Sequence, residues 1–169
     1  VYINAKGHEI TQLFTKGLMG ALVTDQILNN YLTAAKLDSG TNRDDQANLV
    51  LEYGTATKME HYWDEGFGYL YGEEANAARA DLGGNPTGNG VLVNKYFKKV
   101  NDQAERAGIA QTVYDAFKMG KAAIVAENYT VRDEQAAIIQ FNLSIVIGYK
   151  AMDYLNGYVS KKDAGYLAD

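Results

Sequence analysis

Residues 58 to 69 read Lys58-Met59-Glu60-His61-Tyr62-Trp63-Asp64-Glu65-Gly66-Phe67-Gly68-Tyr69. Met59, Trp63 and Phe67 recur at four-residue steps, and Leu49, Tyr53 and Ala56 extend the row upstream. Side chains three and four apart share one face of an α-helix, so this spacing predicts a helix over about residues 44–69 with a single apolar stripe. Trp63 and Phe67 are expected to be core anchors on it.

The same period runs outward in both directions. Ile10, Leu13, Phe14, Gly17, Leu18, Ala21, Leu22, Leu28 and Leu32 predict a first helix over residues 8–36. Gly17 and Gly20 weaken that helix and are expected where a neighbour packs closely. Asp38-Ser39-Gly40-Thr41 reads as a turn, with Asn42 placed to cap the next helix. Val93, Tyr96, Phe97, Val100 and Ala104 mark a third helix; Val113, Tyr114, Phe117, Lys121 and Ile124 mark a fourth. A fifth starts at a Thr130 cap and carries Ile138, Phe141, Ile145, Gly148, Met152 and Leu155. Between the second and third lies Gly83-Gly84-Asn85-Pro86-Thr87-Gly88-Asn89-Gly90, which reads as a loop. Pro86 is the single proline, so nothing breaks the long helices. No alternation of period two appears. The reading is an all-α, four- to five-helix bundle with one long Gly/Asn-rich loop, a single domain over residues 1–169.

Composition narrows the function classes. The 169 residues are 47% hydrophobic and 22% charged, an ordinary globular balance. A net charge of −5 argues against nucleic acid as a partner. The absence of cysteine excludes thiol catalysis, disulfides and thiolate metal sites. No run reaches the ~18 apolar residues of a membrane span. The chain starts at Val1, which reads as a processed product or a fragment of a longer protein. Thirteen tyrosines supply rings with a polar tip, suited to half-buried helix seams or to a partner surface.

The densest chemistry sits in the opening window. On a helix, Glu60 and Asp64 are one turn apart, and so are His61 and Glu65. Glu60 and Asp64 border the apolar stripe. Carboxylates and an imidazole facing a bundle interior are the materials of a metal site, so Glu60, His61, Asp64 and Glu65 are the candidate ligands of a divalent metal ion. They are equally the materials of a hydrogen-bond network that ties helices together. Sharper patterns fail. The residue three before His61 is Lys58, not the Glu of a di-iron helix, and His8-Glu9-Ile10-Thr11-Gln12 lacks the second histidine of a zinc protease. Residues 38–49 lack the Gly and Glu of a calcium loop. Neither a phosphate-binding Gly motif nor a nucleophile elbow is present. Asp25 falls on the first stripe and needs a partner, with Lys121 and Lys150 as candidates, unless the helix is rotated outward. Asn142, one turn from Ile138 and Ile145, reads as a satisfied core amide.

Several segments carry a resemblance: Lys16-Gly17-Leu18-Met19-Gly20-Ala21, the window from Met59 to Tyr69, Gly120-Lys121-Ala122-Ala123-Ile124, and Arg132-Asp133. Together they resemble an uncharacterised bacterial family of secreted proteins and lipoproteins, a domain of unknown function. That family's signature is Glu-His-x-Trp-Asp-Glu-Ala-Phe-Gly-Tyr, from which this chain departs at Gly66. Its layout is similar to the imelysin-like group, whose members are extracytoplasmic and often linked to metal uptake; the Gly-x-His-x-x-Glu motif of that group is absent here. The resemblance implies an all-α fold and an extracytoplasmic address, and it implies no activity.

Two functions follow as expectations. The first is an extracytoplasmic bacterial binding protein that handles a metal ion or a small ligand. The alternative is a structural or interaction protein with a protein partner, whose polar cluster only locks helices. No motif supports an enzyme, and no cofactor beyond a candidate divalent metal ion is expected.

Overall fold

Two apolar runs joined by three residues make the spine of the molecule: α5 (Ile109–Val125) and α6 (Tyr129–Lys161). Glu127 between them adopts a left-handed backbone (φ 55°) that reverses the chain. The side chain of Asn128, not Thr130, caps α6 by accepting a hydrogen bond from the Val131 N–H at 3.2 Å. The computed structural model describes residues 2–44, 54–72 and 93–161. Around the spine pack α1 (Ile10–Leu18), α2 (Ala34–Leu37), α3 (Lys58–Tyr71) and α4 (Asn94–Asn101). Two π-helical turns, Met19–Thr24 and Ile27–Tyr31, continue α1 toward α2. The all-α reading holds: no strand occurs among the described residues, and five α-helices are seven residues or longer. The Gly/Asn-rich stretch at 83–90, like Leu49 and Tyr53, lies outside the described residues.

α3 begins later than the stripe predicted. Gly54 and Thr55 form a turn, and the helix starts at Lys58. Thr57 sets that start with a reciprocal capping box: its hydroxyl accepts from the Glu60 N–H at 3.2 Å, and Glu60 Oε2 accepts from the Thr57 N–H at 2.8 Å. α3 buries Met59, Trp63, Gly66, Leu70 and Tyr71, with Trp63 and Tyr71 against Phe117 of α5, Gly66 against Leu32, and Met59 against Arg132 of α6. Phe67 is partly buried at the edge of the same seam, edge-on to Phe117 with centroids 5.4 Å apart. Trp63 is 1% exposed, and its indole N–H donates to the Phe117 carbonyl at 3.0 Å. The α5 stripe is as read, with Val113, Phe117 and Ile124 buried.

Two stripes face the other way from their reading. On α6 the buried row is Arg132, Ala136, Ile139, Leu143 and Val146, whereas Ile138, Phe141, Met152 and Leu155 are exposed. This helix is apolar around most of its girth, so spacing alone does not choose its inner face. In α1 no residue is buried. Ile10, Leu13, Phe14, Leu18 and Leu22 point outward; Gln12, Lys16, Met19 and Val23 form the inner row. The π turns cause this. Each π turn closes i→i+5 rather than i→i+4 bonds, so residues downstream lose phase with those upstream. Ile27 and Leu32 therefore reach the core while the α1 stripe does not. Gln140 on α6 anchors the second π turn by donating to the carbonyls of Leu28 (2.9 Å) and Leu32 (3.3 Å). Gly17 and Gly20 meet no close neighbour; nothing lies within 4 Å of where a Cβ would stand on either.

Several of the described tyrosines sit on helix seams. Tyr31 stacks on Tyr69 at 5.4 Å, and Tyr71 lies edge-on to Tyr114 and Phe117. Arg132 is fully buried and joins α6 to the end of α2. Its guanidinium donates to Asp38 at 2.5 and 3.2 Å and to Asp133 at 2.8 Å. Asp38 accepts from Arg43 as well, at 2.6 Å.

Candidate functional site

The capping box decides what Glu60 can do. One carboxylate oxygen is held by the Thr57 N–H, and the other lies 3.6 Å from Lys121 Nζ on α5. Lys121 also donates to Asp64 at 2.6 Å. Burial opposes the charged form of Glu60, but the Thr57 and Lys121 contacts outweigh it and bring its carboxyl below the usual glutamate value. Glu60 and Asp64 thus converge on an ammonium group, which already supplies the cation. His61 and Glu65 form a separate pair at 3.5 Å, a quarter-turn round the helix. The structure therefore brings Glu60 together with Asp64, and His61 with Glu65, but not the four around one point. Among the described residues no group of three or more His, Asp or Glu side chains is placed to hold a metal ion.

Lys121 and Lys150 were both candidates for Asp25. Neither meets it: Lys121 takes Glu60 and Asp64, and Lys150 takes Asp153. Asp25 is exposed and accepts from Asn29 at 2.7 Å, the outward rotation that the sequence left open. Asn142 is half-buried and donates to the Ile138 carbonyl at 2.8 Å, so it is satisfied locally and not in the core.

Besides a polar hollow of about 310 Å³ over Lys99, Asp102, Tyr149, Lys150 and Asp153, two hollows on the described surface have apolar floors. One, of about 350 Å³, runs along the α3–α5 seam over Trp63 and Phe117, with Asp64, Lys118 and Lys121 at its rim. It opens widely to solvent, and its rim charges are Asp64 against two lysines, one of them already bonded to that carboxylate.

The other, of about 280 Å³, is walled by three parts of the chain. Lys16, Met19 and Gly20 come from α1 and the first π turn, Val93 and Tyr96 from the start of α4, and Val146, Lys150 and Tyr154 from α6. The body is apolar and the polar groups gather at Tyr154. Lys16 Nζ donates to the Tyr154 hydroxyl at 2.6 Å and lies 3.9 Å from its ring centroid. Lys150 Nζ lies 5.1 Å from that centroid and 6.0 Å from that of Tyr96. The Lys150 side chain is only 12% exposed, its stem lying along the rings. An apolar hollow with a few convergent polar groups has the form of a small-molecule site. Sequence spacing does not reveal it, because its walls lie up to 138 residues apart and, of its polar groups, Lys150 and Tyr154 stand one helical turn apart whereas Lys16 comes from the other end of the chain.

Fold and site together define an all-α bundle with an apolar side cavity between its N-terminal helical run and α6. A family model described as a domain of unknown function, DUF4856, matches residues 1–166, and the chain belongs to that family. No curated protein and no solved structure matches it.

Proposed function

We propose that this protein is an extracytoplasmic, non-enzymatic binding protein for a small ligand, which it holds in the cavity between α1, α4 and α6. The address rests on the resemblance to secreted bacterial proteins set out above. What carries the binding reading is the space beside Gly20: an apolar hollow of about 280 Å³ that the neighbouring side chains leave unfilled, just under the roughly 300–1,000 Å³ typical of ligand pockets. The hollow opens to solvent on one side, which gives a ligand a way in, and its walls are mainly apolar. In this reading the Glu60/Asp64–Lys121 group is an interhelical lock, the alternative weighed for it from the sequence, and the ligand is not a metal ion.

The test uses prodan, an uncharged environment-sensitive naphthalene dye. Wild-type protein is expected to bind it with a blue-shifted emission. Gly20→Phe fills the hollow from a helical position with ordinary φ, so it should abolish the signal and leave the melting temperature unchanged or raised. Equal dye binding by wild type and Gly20→Phe would overturn the site.

A further inference from the structure

We infer that the outward face of α6 is a self-association surface, on which two copies of this chain pair helix to helix about a two-fold axis. The inference does not rest on the cavity. Ile138, Phe141, Ile145, Gly148, Met152, Leu155 and Val159 advance along α6 in alternating steps of three and four. Sustained over three heptads, that is the a and d spacing of a coiled-coil seam, in which one helix lies along another. The body of the protein does not use this row. α6 meets the body through Arg132, Ala136, Ile139, Leu143 and Val146, all buried. At about 100° per residue the two rows lie on nearly opposite sides of the helix. In the outward row Ile145 packs partly against the core, but Phe141 is 67% exposed, and Met152 and Val159 are each more than half exposed. Gly148, near the middle of the row, puts no side chain between two helices that meet there, and nothing lies within 4 Å of where its Cβ would stand.

Charge and area select a second copy as the occupant. Between Ile138 and Val159 the charged residues are Lys150 and Asp153, which pair with each other and fall outside the row and its flanks. The flanking positions are Asn142, Ser144, Tyr149, Ala151, Asn156 and Tyr158. In a coiled coil these positions carry the charges that choose or reject a partner. Here all are uncharged, so two copies of a chain with net charge −5 can meet without setting like charges against each other. A strongly acidic or basic partner would find no counter-charge on this face. The exposed parts of Ile138, Phe141, Met152, Leu155 and Val159 amount to roughly 400 Å². Two copies would bury roughly 800 Å² from these side chains alone, and the flanks carry the total past the ~1,000 Å² that a specific interface needs. α1 offers a shorter face, because its α-helical run ends at Leu18, where the first π turn begins.

Sedimentation equilibrium on the full chain reads the mass directly. At micromolar concentration wild type is expected at twice the 18.5 kDa of one chain. Phe141→Glu and Met152→Glu each set a carboxylate in the seam, and two-fold symmetry sets it there twice. Each should raise the dissociation constant of the dimer about tenfold or more, because the charge would be buried without a partner. Both side chains are exposed within one copy, so circular dichroism should show unchanged helix content in either variant. Phe14→Glu on α1 should leave the mass at two chains. Wild type at the mass of one chain, or of three or more, overturns the proposal. So does a dimer that both α6 substitutions leave intact, or one that Phe14→Glu dissociates.

Discussion

Gly120 on α5 lies directly against the indole of Trp63 on α3: a Cβ at position 120 would overlap Cζ2 and Cη2 of the ring and stand 2.9 Å from Cε2. The indole cannot retreat freely, because its N–H is bonded to the Phe117 carbonyl and its ring is 1% exposed. Gly120→Ala therefore overpacks a filled seam. We expect a loss of about 1–3 kcal/mol, read by urea denaturation followed by circular dichroism. A loss below about 0.5 kcal/mol would mean that the α3–α5 seam yields.

Gly66 offers the opposite outcome. A Cβ there comes 2.9 Å from Leu32 Cδ2, the tip of a side chain that can change rotamer. Alanine also has higher helix propensity by up to about 1 kcal/mol. Gly66→Ala is expected to leave stability unchanged or raise it, and a clear loss in the same denaturation assay would show that Leu32 is locked.

Acid should act through Asp38. The hydrogen bond from Arg43, with Arg132 behind it and burial opposing, lowers this carboxyl from 3.8 to about 2. A depressed folded pKa means that the stabilisation is fully present well above pH 3.8 and is lost as pH falls through about 2. The contribution is on the order of 2 kcal/mol. Melting curves from pH 5 to pH 2 should show this loss in wild type. Asp38→Asn should start less stable at pH 5 and fall less steeply. Parallel pH profiles for the two proteins would remove Asp38 from the account.

The polar cluster on α3 should behave as a clasp. Asp64 is exposed at its tip, so a double-mutant cycle of Asp64→Ala with Lys121→Met should give only ~0.2–1 kcal/mol of coupling. Thr57→Ala removes the helix cap and should cost about 1 kcal/mol by itself. Zinc, ferrous iron or calcium, added after chelator treatment, is expected to leave the melting temperature where it was. A metal-dependent rise that His61→Ala abolishes would restore the metal reading.

How much of this was legible in the sequence differs between helices for physical reasons. Most of the large apolar residues of α3 and α5 lie on the buried side, Met119 and Val125 excepted, so their period gave the helix and the inward face, down to Trp63 and Phe117. In α1 the period correctly announced an amphipathic helix, but which way it turned depended on two π turns that no spacing rule registers. α6 is apolar on several sides; its inner row is chosen by Arg132, whose buried pairing with Asp38 spans 94 residues of sequence. The candidate site shows the same limit. Glu60, His61, Asp64 and Glu65 were visible because they are neighbours on one helix, but their partner Lys121 is 57 residues beyond Asp64. The cavity was invisible because Lys16 and Tyr154, which meet in it, are 138 residues apart.

The outward face of α1 yields a simple stability test. Phe14 is 67% exposed and touches no core, so Phe14→Glu should change the unfolding free energy by less than about 0.5 kcal/mol. A loss of 2 kcal/mol or more would show that this face is covered in solution.

The π turns also bear on how the chain could change by insertion and deletion. Each holds one residue more per hydrogen-bonded ring than an α-helix does, and each residue of an α-helix turns it by about 100°. Each wide turn absorbs its extra residue locally, so removing one residue from each of Met19–Thr24 and Ile27–Tyr31 would close both to ordinary α-helix and leave the flanking faces where they stand. Lys16 would stay at the cavity, and the double deletion should keep prodan binding. A residue lost from Ile10–Leu18 has no wide turn to absorb it and would swing the face upstream by about 100°. The two wide turns are thus the places where this run of helix can shed a residue without moving its neighbours.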